Sequence, residues 1–587
     1  MSTSASPRLT WRDGALERDG RPHRILSGAV HYFRVHPDHW EDRLRRLAAM
    51  GANTVDTYIA WNFHERTEGA YDFTGWRDVE RFIRIAGEVG LDVFVRPSPY
   101  ICAEWSNGGI PFWLSGRTRA LRTSDPVFLA AVDAWYDQLI PRLAALQAAN
   151  GGPICLIQVE NEYGSFGSDA AYLTHLRDGL RARGLTELLT TADGITADMV
   201  EHGSVAGAMG TFTFGTGVPA AVALRRGDEA LMCSELWGGW FDHWGEKHHV
   251  RSAASMIGTV DELLAAGGSV SVYMAHGGTN FGFWNGANHD QVLQPTITGY
   301  DSDAPIGEDG TVNEKFHALR RAFAPFHAGP LPEVPADPMF LPAASAPLVA
   351  SVGLRELVER MPVGATSPVP LTFEELGAED GLVAYQAAVS FPADAMLGIR
   401  GLRDRATVFL DDVRLGTLEH DGAHELALPA EGGAGTLTIV VESLGRINYG
   451  PLTGEAKGIL QGVTIGRRYV HGWTHRIFGD AAPAASDTLT SHVTSHADGS
   501  ASAVFEIDEP ADAWLAFPGG AKGMVWLNGF LLGRYWERGP QVTLYAPGSL
   551  WRSGRNEIVV LDTDRLGTAV EIRQAPEFGE VEEFIGS

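Results

Sequence analysis

The first 325 residues alternate short β-rich apolar runs with amphipathic stretches, and this alternation restricts the fold more than any other feature of the chain. Eight runs qualify as strands, at 24–32, 54–61, 92–97, 154–160, 187–192, 205–212, 231–235 and 269–275. Helical stretches lie between them at 40–50, 79–89, 127–149, 170–183 and 250–266, with Gly51, Gly90 and Gly184 placed as helix stops. Eight parallel strands, each followed by a helix, are what closes a (β/α)8 barrel. After a last helix near 312–326, the stretch from Gly329 to Pro338 holds four prolines in ten residues, which neither a helix nor a central strand tolerates.

Beyond that boundary the apolar period shifts toward two, with frequent Pro, Gly and Asp turn signals, as in β-sandwiches. An internal repeat supports two of them. Val408-Phe-Leu-Asp-Asp-Val-Arg-Leu-Gly416 matches Val525-Trp-Leu-Asn-Gly-Phe-Leu-Leu-Gly533, each reading as strand, tight turn, strand, and each is followed by a similar run at Ile439 and at Ile558. The expected fold class is α/β, a TIM barrel over 1–328 followed by two β-sandwich domains over 366–482 and 483–587, divided near 481–485. Residues 329–365 form the linker, within which 348–354 could supply a strand to the last domain.

Lys and Arg total 46 against 73 Asp and Glu, and the net charge of −27 repels phosphate backbones and anionic membrane surfaces. Neither nucleic acid nor membrane is an expected partner. The N-terminal residues carry no apolar signal core, and no window approaches eighteen uninterrupted apolar residues. Cys102, Cys155 and Cys233 are odd in number, widely spread and set in or beside apolar runs. They read as small buried hydrophobes in a reducing compartment, which places the protein in the cytoplasm.

Chemistry concentrates at two strand ends. Glu162 follows the run that begins at Ile154, and Glu235 closes the run that begins at Ala230, 73 residues later (235 − 162). That interval suits three further strand-helix units of a barrel, so the two carboxylates can face each other across its mouth. Inside the barrel core an ionised glutamate would carry a large desolvation cost; at a strand end it does not. Paired carboxylates suggest glycoside hydrolysis, one handing a proton to the leaving oxygen and the other attacking or assisting at the anomeric carbon. Any single such glutamate is more simply an ion-pair partner; the pair in this context is not.

Several long strings, taken in order, resemble glycoside hydrolase family 35, the β-galactosidases. They are Ser27-Gly-Ala-Val-His-Tyr32, Tyr58-Ile-Ala-Trp-Asn-Phe-His-Glu65, Arg96-Pro-Ser-Pro-Tyr-Ile-Cys-Ala-Glu-Trp105, Ile157-Gln-Val-Glu-Asn-Glu-Tyr-Gly164, Gly277-Gly-Thr-Asn-Phe-Gly282, Gly445-Arg-Ile-Asn-Tyr-Gly450 and Trp526-Leu-Asn-Gly-Phe530. The resemblance spans nearly the whole chain and implies a retaining exo-β-galactosidase acting by double displacement on an oligosaccharide or glycoconjugate. It implies jelly-roll, galactose-binding-like sandwiches, no cofactor and no metal, and leaves homo-oligomerisation open. Residue by residue, the acid/base falls on Glu162 and the nucleophile on Glu235, with carboxyl groups about 5 Å apart. Sugar contacts fall on Tyr58, Cys102 and Ala103 through the backbone, Glu104, Asn161 and Tyr300. Tyr273 matches a tyrosine that hydrogen-bonds the nucleophile. Trp237, Trp240, Trp244 and Tyr449 are candidates for stacking on the leaving-group side, at least one of them serving only inter-domain packing.

One departure stands out: Tyr300-Asp-Ser-Asp-Ala-Pro305 places Ser302 where a sugar-binding tyrosine is usual in the family. This keeps alternatives alive within the class, such as an exo-β-glucosaminidase or a fucosidase or arabinosidase side activity. A non-catalytic carbohydrate-binding protein is argued against by the intact acid and nucleophile motifs. His243, Glu246, His248 and His249 match no zinc-site spacing and read as a solvated loop.

Overall fold

The computed structural model describes residues 8–97, 99–483, 491–492 and 498–586. Its eight central strands are β1 (Leu26–Val30), β2 (Thr54–Tyr58), β3 (Asp92–Arg96), β4 (Ile154–Asn161), β5 (Leu188–Gly194), β6 (Met209–Phe214), β7 (Met232–Trp237) and β8 (Ser269–His276). They pair in parallel around a closed barrel, and β8 returns to β1 with Val270 opposite Leu26. Every residue of β2 and β4 is buried; β4 opens on the apolar run Ile154-Cys-Leu-Ile157, whereas β2 also buries Thr54, Asp56 and Thr57. The sixth strand starts later than its sequence signal, at Met209, because Gly207 takes φ +83° and turns the chain first. Helices such as Val79–Val89 pack outside: Val79, Phe82, Ile83 and Ala86 form one buried stripe, Asp78 accepts from Arg81 N at the start, and Gly90 ends the helix in the left-handed region.

Each sandwich is a six-stranded sheet over a four-stranded one. The first encloses Val383, Tyr385, Leu397, Val408, Ile439 and Trp473; the second encloses Trp514, Val525, Leu532, Ile558 and Val570. Ala344–Pro347 pairs with Ala569–Arg573, and Val349–Val352 with Gly499–Ile507. This stretch therefore supplies two strands to the second sandwich although it precedes the first in the chain. The division expected near 481–485 runs into residues 484–490, outside the described residues.

The repeat is the same hairpin twice. Arg405–Leu410 pairs with Val413–Glu419, and Lys522–Leu527 with Phe530–Trp536; Val408 lies opposite Gly416, Val525 opposite Gly533, and the register shifts one residue later in both. The tight turns put Asp411 and Asn528 at φ +50° and +51°, residues that tolerate left-handed backbone. At the bulge Gly416 and Gly533 adopt φ +156° and +148°, which side chains rarely allow, hence the shared terminal glycine.

The second hairpin also ties the domains together. Lys522 and Arg534 both reach Glu442 of the first sandwich, and Arg534 Nη1 donates to Asn285 Oδ1 of the barrel at 2.6 Å. Finally the chain returns to the barrel, where Val581–Glu583 pairs in parallel with His248–Val250.

Candidate active site

A cavity of about 80 Å³ opens at the C-terminal ends of the strands and is lined by Cys102, Ala103, Glu104, Asn161, Glu162, Glu235, Trp237, Trp240, Phe241, Tyr273 and Ser302, among others. A larger cleft, of about 280 Å³, lies between Trp76, Phe281 and Phe530 at the junction with the sandwiches; no strand-end glutamate reaches it. Of the residues named from the sequence, Tyr58, Trp244, Tyr300 and Tyr449 do not line the small cavity; Tyr58 and Tyr300 each stand one layer behind and bond a carboxylate that does.

Glu235 is 5% exposed, and its Oε1 accepts from Tyr58 Oη at 2.6 Å and from Arg96 Nη1 at 2.9 Å. Arg96 closes β3 and is fully buried. It also donates through Nη1 to Gln158 Oε1 at 2.9 Å, through Nε to Asp56 Oδ1 at 2.8 Å, and through Nη2 to Asp56 Oδ2. One guanidinium thus serves two buried carboxylates. Burial pushes Glu235 up to about 7, with Arg96 opposing that rise and Glu162 adding to it.

Glu162 has a barer setting. Its Oε1 accepts from Thr213 Oγ1, at the end of β6, at 2.7 Å. The nearby Arg122 is committed to Glu160, by a bidentate pair at 2.9 and 2.8 Å, and to Asn161 O at 2.6 Å. Burial raises the Glu162 carboxyl and the Glu104 charge adds to the rise, against the Thr213 hydroxyl and the charges of Arg122 and Arg96. Asn161 Oδ1 contacts the Tyr58 hydroxyl, so one phenol links the residue before Glu162 to Glu235.

Glu104 accepts from the Tyr300 hydroxyl, and burial raises its carboxyl against that bond. Behind it lies Arg34, 1% exposed, with its guanidinium 3.8 Å over the Tyr300 ring and donating to Ala103 O and to Asn280 Oδ1. Cys102, Ala103 and Glu104 take φ +53°, +55° and +48°, Glu162 +45° and Ser302 +57°. Five non-glycine residues of one cavity in the left-handed region, each costing on the order of 1–3 kcal/mol, mark a site whose backbone is held against local preference.

Three expectations change. Tyr273 does line the cavity, but its hydroxyl lies 3.3 Å from that of Tyr300, and the phenol bonded to Glu235 is Tyr58. Cys102 is half-buried and lines the cavity, with Asn448 Nδ2 donating to its sulfur at 3.5 Å, while Cys155 and Cys233 are core residues. The 243–249 loop is solvated only in part: Gly245 and Lys247 are exposed, but His243, Trp244 and His248 are buried. Its His243 pairs with Glu246 at 2.9 Å and His248 with Asp242 at 2.8 Å, and His248 stacks on Phe578 at 4.0 Å.

Of the aromatic candidates, Trp244 packs on Trp536 of the second sandwich and Tyr449 is half exposed on the strand Arg446–Tyr449. Trp237 and Trp240 meet edge to face at 5.4 Å. The returning segment backs them: Phe584 lies 5.1 Å from Trp240, and a Cβ on Gly586 would fall 2.5 Å from Trp240 and 2.7 Å from Trp237. Only glycine fits there. Sequence reasoning missed Arg34, Arg96, Thr213 and this segment. For Arg96 a signal existed, since it ends an apolar run as Glu235 does.

A parallel eight-stranded barrel that turns two strand-end glutamates into one polar cavity defines a glycoside hydrolase. Residues 15–326 match the family described as Glycosyl hydrolases family 35, 370–478 a domain described as "Beta-galactosidase, first all-beta domain", and 501–556 one described as "Beta-galactosidase, galactose-binding domain". The chain is 39% identical to the beta-galactosidase of Bos taurus, covering 96% of this chain and 91% of that one, and 39% identical to that of Homo sapiens, covering 94% and 86%. It is 37% identical to beta-galactosidase-1-like protein 3 of Rattus norvegicus, covering 95% and 90%. The chain belongs to glycosyl hydrolase family 35.

Proposed function

We propose that the protein is a retaining exo-β-galactosidase that removes terminal β-D-galactosyl residues from oligosaccharides or glycoconjugates by double displacement. The observation that carries this reading is the unequal support of two carboxylates facing one cavity. Among the described residues, a guanidinium and a phenol bond Glu235 through Oε1, and we read the other oxygen, Oε2, as the one that attacks. Glu162 accepts through Oε1 from Thr213, which leaves Oε2 to carry the transferable proton.

Glu235 Oε2 bonds to the anomeric carbon as the bond to the leaving oxygen breaks and Glu162 gives that oxygen its proton. Neutral ester formation at Glu235 removes a negative charge from the cleft, which lowers the affinity of Glu162 for a proton. Now ionised, Glu162 takes a proton from water, the hydroxide oxygen bonds to the anomeric carbon, and Glu235 leaves as carboxylate. Glu104, held by Tyr300 and faced by Arg34, accepts from sugar hydroxyls, and Asn161 serves the 2-hydroxyl, where contacts strengthen as oxocarbenium character develops. Trp237 and Trp240 offer faces for the leaving group. The sandwiches are read as jelly rolls. Three free thiols support a reducing, cytoplasmic setting.

The test is NMR observation of the first sugar released from an aryl β-galactoside, together with labelling by a 2-fluoro galactosyl inactivator. β-Galactose as first product and a label on Glu235 are expected; α-galactose, or a label elsewhere, removes the mechanism.

A further inference from the structure

His289, His420 and Asp421 come together where the barrel meets the first sandwich, with one ligand atom from each within 4.8 Å of the others. His289 lies on Gly286–Asp290, the first strand of a hairpin on the barrel rim, and His420 and Asp421 follow the strand Val413–Glu419. Two features separate this group from a chance surface cluster. His289 Nδ1 is buried without a hydrogen-bond partner, although unpaired buried polar atoms are costly. The His420 side chain is 9% exposed and sits between two carboxylates, with Nδ1 3.7 Å from Asp404 Oδ1 and Nε2 3.7 Å from Asp421 Oδ1.

We propose that His289, His420 and Asp421 bind a zinc-class divalent cation that pins the rim hairpin to the first sandwich. Two imidazoles and one carboxylate suit such an ion, and tetrahedral coordination at about 2.0–2.1 Å separates ligand atoms by about 3.4 Å, close to the 3.7 Å between His420 Nε2 and Asp421 Oδ1. Asp404 stands behind the imidazole where an orienting carboxylate belongs, and its own charge is balanced by Lys457 at 2.8 and 2.9 Å. Asp421 Oδ2 is used by Leu293 N at 2.7 Å, which leaves Oδ1 for the ion. Water would complete the shell.

The hairpin so pinned forms part of the cleft's frame. Gly286 pairs with Arg446, Asn288 pairs with Tyr449, and Gly286 N donates to Glu104 O at 2.8 Å. The ion's task is to hold that frame; no step of turnover uses it.

The experiment takes the full chain without a polyhistidine tag, strips it with chelator, and titrates it with zinc sulfate by calorimetry, with cobalt(II) absorption as a second readout. One zinc per chain is expected, with a melting temperature raised by several degrees and a tetrahedral cobalt band. His289→Ala and Asp421→Asn, neither of which lines the active-site cavity, should weaken zinc about tenfold or more and abolish the band, with aryl-galactoside turnover per folded chain retained below the melting temperature. His243→Ala should bind as the parent does. Absence of a stoichiometric site overturns the proposal, as does zinc binding that persists unchanged in His289→Ala and Asp421→Asn or disappears in His243→Ala.

Discussion

The shelf under Glu235 and the shelf under Glu162 differ more than two carboxylates in one buried cavity need to. Both sit at strand ends, both are desolvated, and burial lifts both. Yet β3 and β2 send a guanidinium and a phenol to Glu235, whereas β6 sends Glu162 a single hydroxyl and Arg122 turns away to Glu160. A hydrogen bond to a charged group is worth about 1.5–3 kcal/mol against about 0.5–1.5 for a neutral one. These bonds oppose the rise that burial imposes, which still pushes Glu235 up to about 7 and raises Glu162 as well, so the two carboxyls titrate in one shared field. The guanidinium and phenol behind Glu235 favour its carboxylate form, as a nucleophile needs, and the single hydroxyl behind Glu162 leaves that residue suited to carry a proton. Nucleophile and acid are assigned by what stands behind each residue.

The hardest way to break this asymmetry is to remove the charge it protects. Glu235→Gln should lose on the order of 10⁴ or more in kcat on every substrate, good leaving groups included, because no other carboxylate reaches the anomeric carbon from that wall. Since the amide is neutral, the same variant should also lower the pKa of Glu162: a facing carboxylate disfavours ionisation, and its loss favours it. ¹³C-glutamate NMR titration of the variant against the parent measures that shift. An unchanged or raised Glu162 value would mean that the two groups do not share a field.

Removing the other partner should cost less and select by substrate. Glu162→Ala should slow natural galactosides by about 10²–10⁴ but aryl galactosides with good leaving groups far less, because these depart without a proton. Activity on such substrates should lose its alkaline limb, which in the parent reports deprotonation of the acid, while the acidic limb set by Glu235 remains. Azide should restore turnover as β-galactosyl azide. Equal damage to both substrate types, with no azide product, would take Glu162 out of the acid/base role.

How much of this was legible follows from how far each contact reaches along the chain. The eight strands could be read because a strand buried on both faces writes its environment into consecutive residues, as Ile154-Cys-Leu-Ile-Gln-Val159 does. Glu162 and Glu235 could be read because strand ends are local too. The asymmetry between them could not: Arg96 reaches Glu235 across 139 residues and Thr213 reaches Glu162 across 51, and neither pairing leaves a periodic trace. The loop at 243–249 reads as solvent-facing by composition. Its burial comes from Phe578 and the segment 580–584, more than 300 residues away in sequence. The glycine at 586, forced by two tryptophans, looks like any glycine until those rings are placed.

A finer cut leaves both carboxylates and trims one support. In Tyr58→Phe the Arg96 bond to Glu235 stays and the phenol bond goes. That bond lowers the Glu235 pKa, so its loss raises it, and the acidic limb of kcat/KM should move to higher pH by up to about one unit. Because Tyr58 also touches Asn161, the plateau should fall as well. A limb that stays put or moves to lower pH would show that Arg96 alone sets the ionisation of Glu235.

The smallest expected effect lies on the cavity wall, where neither shelf is touched. Ser302 lines the cavity near Trp240, Phe241 and Tyr273, at the position where the family usually carries a tyrosine. Its side chain is too short to reach as far as a phenol, which leaves room or a water at the hydroxymethyl end of the sugar. Already at φ +57° with a Cβ, the backbone there carries the strain of a non-glycine residue, so Ser302→Tyr adds little. The new phenol should supply one hydrogen bond, about 0.5–1.5 kcal/mol, and raise the kcat/KM ratio of aryl β-galactoside over aryl α-L-arabinopyranoside by roughly two- to tenfold. The arabinopyranoside keeps the ring hydroxyls of galactose and lacks the hydroxymethyl, so the ratio reads that end alone. If wall and shelves are separate, both pH limbs stay where they are while the ratio rises. An unchanged ratio would show that position 302 does not set specificity, and a shifted acidic limb would show that the wall also feeds the ionisation of Glu235.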